Sequence, residues 1–405
     1  MIPLDEAIQT VLAGCKLAGG RSIDVSDALG LVLSEDVEAP GPVPPFANSA
    51  MDGYAVRAAD VASASADDPV RLKVIGTIAA GHAPTASVGS GEALRIMTGA
   101  IFPEGADAVA IVETTRADGE MVVVEAPAKA GEHIRGAGED IATGELVFRA
   151  GTVLGAGHVG VLCSVGREKV QAVPGPVVGV MSTGDELVEG SGPLRAGQIR
   201  DSNRRTLLAL LSRDGYRGVD LGIARDDEDE IRQRLTAAAD GCDAILTSGG
   251  VSMGEFDYVK AVLDKIASME WMQVAIRPAK PFAFGTIGSV PVFGLPGNPV
   301  SSMVSYEVLA RPGLRRIAGI SDGDLRRHPV MGLADDRFLG ARDGRTSFVR
   351  VQAAFGPDGR LHAKSAGGQG SHQLKAMSLS NALAVVEPGA GVSQGDEVGL
   401  LLLSP

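Results

Sequence analysis

From residue 177 to residue 310, short apolar runs alternate with stretches of helical spacing. The runs at 177–181, 219–223, 244–246, 272–276 and 290–293 predict buried strands, and the patterns at 204–212, 228–239 and 258–266 predict helices. Such alternation predicts a mostly parallel sheet with right-handed crossovers. Four of the runs stop at loops rich in Gly, Ser, Thr, Asn or acid: Met181-Ser182-Thr183-Gly184-Asp185-Glu186-Leu187, Ala224-Arg225-Asp226-Asp227, the 247–258 segment TSGGVSMGEFDY, and Gly294-Leu295-Pro296-Gly297-Asn298-Pro299-Val300-Ser301-Ser302. In an open α/β sheet, loops of this kind gather at the carboxyl ends of the strands, where ligands bind. Small residues that expose backbone and several carboxylates then converge on one crevice. That combination suits a phosphate-bearing ligand held with a divalent metal.

The flanks follow other periods. Leu4, Ile8, Val11, Leu12 and Cys15 form one helical stripe, and a second helical pattern over 155–165 is expected to fold back on it. Between them, 51–150 reads as short strands and turns, with strand character at 71–75 and 121–124. Beyond Ser321 the pattern is again β-like, and Gly356-Pro357-Asp358-Gly359 predicts a hairpin between 347–352 and 361–364. The predicted fold is multidomain α/β and β. A discontinuous N-terminal helical domain (1–50 and 151–173) carries an inserted small β domain (51–150). A central, mostly parallel α/β domain (174–320) and a small C-terminal β domain (321–405) follow.

Composition narrows the function. With 405 residues and 45% hydrophobic content the chain is an ordinary globular protein of several domains. A net charge of −13 disfavours a non-specific nucleic-acid binder. The chain has no apolar run long enough for a membrane span and no signal-peptide pattern, so a cytoplasmic location is expected. Cys15, Cys163 and Cys242 lie in apolar patterns without ligand spacing and are expected to be buried free thiols. No Ser-His-Asp triad, Walker A loop or zinc pattern is present.

Within the loops, Ser248-Gly249-Gly250 lets backbone N–H groups approach a phosphate, and Ser252 with Glu255 has capping-box spacing. Read alone, the motif also fits a plain strand-to-helix turn. Asp257 stands on the first helical turn, where an acid is also a simple dipole stabiliser. Asn298 is expected to cap the next helix, with Pro299 at its first position and Pro296 stiffening the approach. Ser301 and Ser302 lie on that first turn. Arg277 and Lys280, spaced by prolines, should reach the same end of the sheet as cations for an anion.

Taken together, NSAMDGYAV at 48–56, IMTGA at 96–100, GEDI at 138–141, STGDEL at 182–187, the 247–258 segment, 278–285 and 294–301 closely resemble the molybdopterin molybdotransferase family, which includes MoeA and the E domain of gephyrin. The tags run in family order over nearly the whole chain. The resemblance implies four domains, a homodimer, and the last step of molybdenum cofactor assembly. In that step adenylylated molybdopterin is cleaved with Mg²⁺, molybdate is inserted, and AMP leaves. It implies Glu186, Asp226 and Asp257 as metal and catalytic acids, and Arg277, Lys280, Ser301, Arg350 and Ser371 as molybdate ligands. Asp52, Thr98, Arg135 and Asp140 would complete the site from the partner subunit. Where the family commonly has Lys-Pro-Gly-Lys-Pro, this chain has Arg277-Pro278-Ala279-Lys280-Pro281, which replaces a compact ammonium by a planar fork. The implied partners are a molybdopterin adenylyltransferase upstream and molybdoenzymes or their chaperones downstream, with no nucleic acid and no membrane. A nucleotide-handling relative that shares only the α/β domain, or a scaffold, are the alternatives. The full set of flanking tags argues against the first, and the absence of a long linker or appended module against the second.

Overall fold

The four loop-terminated apolar runs form the parallel strands of a six-stranded sheet in the computed structural model, which describes residues 1–250, 258–389 and 391–403. Across the sheet the order is Arg217–Ala224, Val177–Thr183, Ala244–Ser248, Val290–Leu295, Pro281–Ile287 and Ser268–Gln273. The first four are mutually parallel. Burial alternates along each: Val178, Val180, Leu246 and Phe293 join one core, while Met181, Ile245 and Val292 join the other. Leu207, Leu210 and Leu211 of the helix Asn203–Arg213 cover the first face. The helices Glu228–Gly241 and Tyr258–Ile266 cover the second.

One predicted strand is corrected. The 272–276 run splits into Ser268–Gln273, an antiparallel edge strand, and Ile276–Arg277, which pairs with Thr346–Phe355 in another sheet. Its partner Pro281–Ile287 escapes the sequence pattern because proline opens it and both faces are apolar. The two-residue turn Gly288-Ser289 into Val290–Leu295 was its hairpin signal. The registers Gln273↔Pro281 and Ala283↔Gly294 bring the 274–280 loop to the carboxyl end of the parallel strands, as expected for Arg277 and Lys280.

The chain divides into two units. The first comprises Met1–Ser22, Gly30–Ser34 and Gln171–Pro405 and holds the α/β sheet together with the C-terminal strands. Those strands close on themselves: Thr346–Phe355, Leu361–Ser365, Val330–Ala334, Glu397–Leu402 and Ala382–Val386 pair in turn, and the last returns to the first. The predicted hairpin is present, with Phe355 opposite Leu361. The second unit, Ile23–Leu29 and Glu35–Val170, is built on a six-stranded sheet that contains Val70–Ile78 and Met121–Val124.

The two flanking helices do not share a core. Leu4–Gly14 buries Ala7, Ile8 and Val11 in the first unit, whereas Ala156–Ser164 belongs to the second, where Val161 and Val165 pack with Ala39 and Ile141. The helical period identifies each apolar stripe but not its partner. Only Cys15 is buried; Cys163 is exposed and Cys242 half-buried. Burial pushes the Cys15 thiol up to about 12. No helix among the described residues is long and apolar enough to cross a membrane.

Gly313, on the helix Arg311–Ile317, allows the N-terminal helix to approach closely. A Cβ there would stand 2.8 Å from Cys15 Sγ, 2.9 Å from Val11 and 3.0 Å from Phe293. Gly313→Leu is therefore expected to cost about 1–3 kcal/mol by overpacking and to open Cys15 to alkylation, read by urea unfolding and peptide-resolved mass spectrometry. Unchanged stability with Cys15 still protected would contradict this packing.

Candidate active site

Strand order locates the crevice. Val177–Thr183 sends its crossover to one side, to Arg217–Ala224, while Ala244–Ser248 lies on its other side. Crossovers leaving in opposite directions open a gap at the carboxyl ends of the two inner strands, the usual ligand position in such sheets. Ser182, Thr183, Ser248 and Gly249 border it.

Gly249 and Gly250 have φ of 95° and 73°, a left-handed pair that glycine adopts without strain. Gly249 donates its N–H to the Leu295 carbonyl at 3.1 Å. A Cβ on Gly249 would sit 3.0 Å from the Thr183 carbonyl, so only glycine fits at the gap. Ser248 is 2% exposed, and its Oγ accepts a hydrogen bond from Asn203 Nδ2 at 2.8 Å. The same nitrogen donates to the Gly297 carbonyl at 2.7 Å. Asn203, absent from the sequence reading, thus ties two strand-end loops together.

Its neighbours are equally constrained. Arg204 is buried (1% exposed) and ion-paired with Asp201 at 2.9 Å, with Asp220 and with Glu189. Asp201 Oδ1 also accepts from Ser182 Oγ at 3.0 Å and from the Arg204 N–H at 3.2 Å. The available signal was the polar run Asp201-Ser202-Asn203-Arg204 immediately before an amphipathic helix, which ordinarily marks only a helix start.

The acidic loops adjoin. Asp185 Oδ1 accepts the Asp226 N–H at 3.2 Å, and the Gly184 N–H reaches the Ala224 carbonyl at 3.3 Å. Of the adjacent pair, Asp185 therefore ties the loops and Glu186 is left to project. A Cβ on Gly184 would collide with the Glu186 carboxylate, so glycine clears the space Glu186 occupies. Asp227 caps the next helix by accepting from the Glu230 N–H at 2.8 Å. Asp257 and Ser252 lie outside the described residues. Among the described residues, no group of three His, Cys, Asp or Glu side chains is arranged to hold a metal ion.

On the far side of the gap, Pro296 is buried and Pro299 opens the helix Pro299–Ser305. Asn298 occupies the cap position, but its side chain makes no capping bond; the Ser302 N–H is met by the Asn298 backbone carbonyl at 2.9 Å. Ser301 is 4% exposed, and the preceding Val300 N–H donates to the Ser371 carbonyl at 3.0 Å. The structure therefore joins Ser301 to the C-terminal segment. Arg350 is fully buried beside it: Nη2 donates to the Gly368 and Gly370 carbonyls at 2.8 and 3.3 Å, while Nε and Nη1 have no partner among the described residues. Burial lowers the pKa of this guanidinium below its ordinary value. Arg277 is exposed at the end of its short strand, opposite Ser347. The Lys280 carbonyl accepts from the Val274 N–H at 2.8 Å, closing the loop between them. Ala279 in that loop has φ of 79°, a left-handed position glycine would occupy without strain.

In the second unit, Asp52 Oδ1 accepts both the backbone N–H (2.7 Å) and the hydroxyl (2.8 Å) of Thr98. Those two bonds, the backbone one first, hold the Asp52 carboxyl below its ordinary pKa and keep it ionised. Arg135 pairs with Asn48, and the Ala50 N–H meets the His133 carbonyl at 2.8 Å, so Arg135 shares this loop cluster. Asp140 is fixed through its N–H to the Val43 carbonyl at 3.0 Å.

Comparison with known proteins shows three family models in succession: the MoeA N-terminal region (domain I and II) over residues 2–166, a probable molybdopterin binding domain over 179–316, and the MoeA C-terminal region (domain IV) over 338–403. A molybdopterin molybdenumtransferase of Haemophilus influenzae is 38% identical over 402 residues, covering 98% of each chain. Molybdopterin molybdenumtransferase 2 of Mycobacterium tuberculosis is 36% identical, covering 91% of this chain and 93% of its own. The crystal structure of a molybdopterin biosynthesis MoeA protein from Pyrococcus horikoshii OT3 superposes with a TM-score of 0.82 at 28% identity, covering 99% and 100% of the two chains.

The glycines at the gap give contrasting expectations. Gly249→Ala should cost about 1–2 kcal/mol through its left-handed backbone, with a further loss from its contact with Thr183. At Gly297 a Cβ would meet only Gly249 Cα at 3.8 Å, and Gly297→Ala should stay within about 0.5 kcal/mol of the parent. Thermal denaturation compares the two; equal losses would contradict this geometry.

Proposed function

This chain belongs to the molybdopterin molybdenumtransferase family and is a molybdenum-inserting transferase, and we propose that its substrate is adenylylated molybdopterin, from which molybdate insertion releases AMP. The phosphates would lie against the Ser248–Gly250 turn at the gap, with Pro296 and Pro299 bordering the nucleotide. Glu186 and Asp226, on adjoining loops, together with Asp257, would hold Mg²⁺; their all-oxygen donor set matches a hard cation. When bound, the metal would neutralise charge developing on the phosphate. Asp257 is our candidate to orient the attacking water.

The observation that carries the anion site is Arg350. A buried guanidinium with two unmet donors is suited to an anionic partner, and a tetrahedral oxyanion such as molybdate accepts from such a fork. Ser371 and Ser301, linked through the Val300–Ser371 bond, would supply further donors, and Arg277 and Lys280 would attract the anion to that end of the sheet.

The proposal includes a homodimer in which the partner subunit contributes Asp52, Thr98, Arg135 and Asp140. The preformed Asp52–Thr98 pair supports a ready acceptor there. It also includes a division into four domains, a number supported by the domain descriptions of the matching family models; of the expected bounds, 1–50 with 151–173, 51–150, 174–320 and 321–405, the first pairing is at odds with the separate packing of the helices Leu4–Gly14 and Ala156–Ser164. An enzyme consuming an adenylylated substrate needs an adenylyltransferase before it, and molybdoenzymes or their chaperones after it, in the cytoplasm.

With Mg²⁺ present, molybdate should trigger AMP release from adenylylated molybdopterin by the purified protein. Arg350→Met should weaken apparent molybdate affinity about a hundredfold, the value of two lost charge-assisted bonds, while nucleotide binding holds. Molybdate-independent release, or an unshifted affinity in Arg350→Met, would refute this assignment.

A further inference from the structure

We propose that Asn203 is a positioning residue of this site, acting through Ser248. Its amide nitrogen holds the Ser248 hydroxyl as an acceptor on one side, so that the hydroxyl's own proton is donated to an oxyanion of the bound nucleotide. The inference rests on the reading of the gap as the phosphate site.

Bonding capacity carries it. The Gly297 carbonyl can only accept, so the Asn203 atom 2.7 Å away must be the amide nitrogen, which fixes the orientation of the group. The same nitrogen lies 2.8 Å from Ser248 Oγ and spends its second hydrogen there. A nitrogen with both hydrogens committed leaves the Asn203 side chain no donor for a ligand, so its influence passes through Ser248. A serine hydroxyl that accepts from Asn203 still owns one proton. Among the described residues, Ser248 Oγ has no bond besides that to Asn203. Ser248 is the last residue of its strand and is followed by the two left-handed glycines, so its hydroxyl stands at the strand end that borders the gap.

The backbone around Asn203 is fixed independently. It opens the helix Asn203–Arg213, between Ser202 and the buried Arg204, whose ion pairs to Asp201 and Asp220 hold the first turn. Asp201 bonds Ser182 at the end of the neighbouring strand. Three strand ends are thus gathered on one four-residue segment, and Asn203 presents its amide to two of them without freedom to turn away.

A double-mutant cycle separates this role from simple bracing. Binding of adenylylated molybdopterin is measured for the parent, Asn203→Ala, Ser248→Ala and the double variant, with thermal melts alongside. Each single change should weaken binding about tenfold, the value of one hydrogen bond to a charged group. The double variant should be no more than about threefold weaker than either single, because one change removes the Ser248 proton and the other the bond that aims it. A loss near a hundredfold in the double variant would mean that the two residues act separately, and unchanged binding in Asn203→Ala would remove its role; either overturns the proposal. If Asn203→Ala does not fold, Asn203→Ser takes its place in the same cycle. Failure of the parent to bind the nucleotide would instead defeat the phosphate-site reading, and this inference with it.

Discussion

The buried charge of Arg204 is the constraint on which the site depends. A guanidinium at 1% exposure is tolerable only when its charge is matched, and removing one partner of such a cluster costs about 3–5 kcal/mol. Asp201, Asp220 and Glu189 supply the match. Because Asp220 lies on the outermost parallel strand and Asp201 just ahead of the helix, neutralising Arg204 also fixes where that helix begins. The first turn then carries Asn203 to Ser248 and Gly297, and Asp201 to Ser182. Loops that would otherwise be the most mobile parts of an α/β domain are tied before any ligand arrives, which reduces the ordering cost of binding.

Arg350 shows the opposite use of the same side chain. It too is fully buried, yet it meets only backbone carbonyls and leaves two nitrogens open. Arg204 is ion-paired with three carboxylates, although its Nη2 makes no aligned hydrogen bond; Arg350 has no carboxylate paired with it among the described residues. The distinction cannot be drawn from residue type or burial alone. It lies in the charge of the groups each guanidinium meets: carboxylates around Arg204, backbone carbonyls around Arg350.

Much of the α/β architecture was legible because period and loop chemistry agree there. Four apolar runs ending in small or acidic loops gave four parallel strands, and the helix Tyr258–Ile266 ends where its spacing said. Edge structure was not legible: Pro281–Ile287 is apolar on both faces, so period carries no information, and the 272–276 run contributes to two different sheets. Partner choice between the two flanking helices was hidden for the same reason. Loops carrying site candidates could be named from their composition, but Asn203 could not, because a polar residue at a helix start ordinarily signals only the start. Its meaning comes from which loops the strand order brings beside it.

A crystal structure with adenylylated molybdopterin bound tests the central claim most directly. The account predicts phosphate oxygens within hydrogen-bonding distance of the Ser248 hydroxyl and the Gly250 amide, at the gap between Val177–Thr183 and Ala244–Ser248. A nucleotide seated elsewhere, such as the cavity of about 480 Å³ lined by Leu4, Ile8, Pro312 and Phe348, with the gap left to solvent, would contradict it.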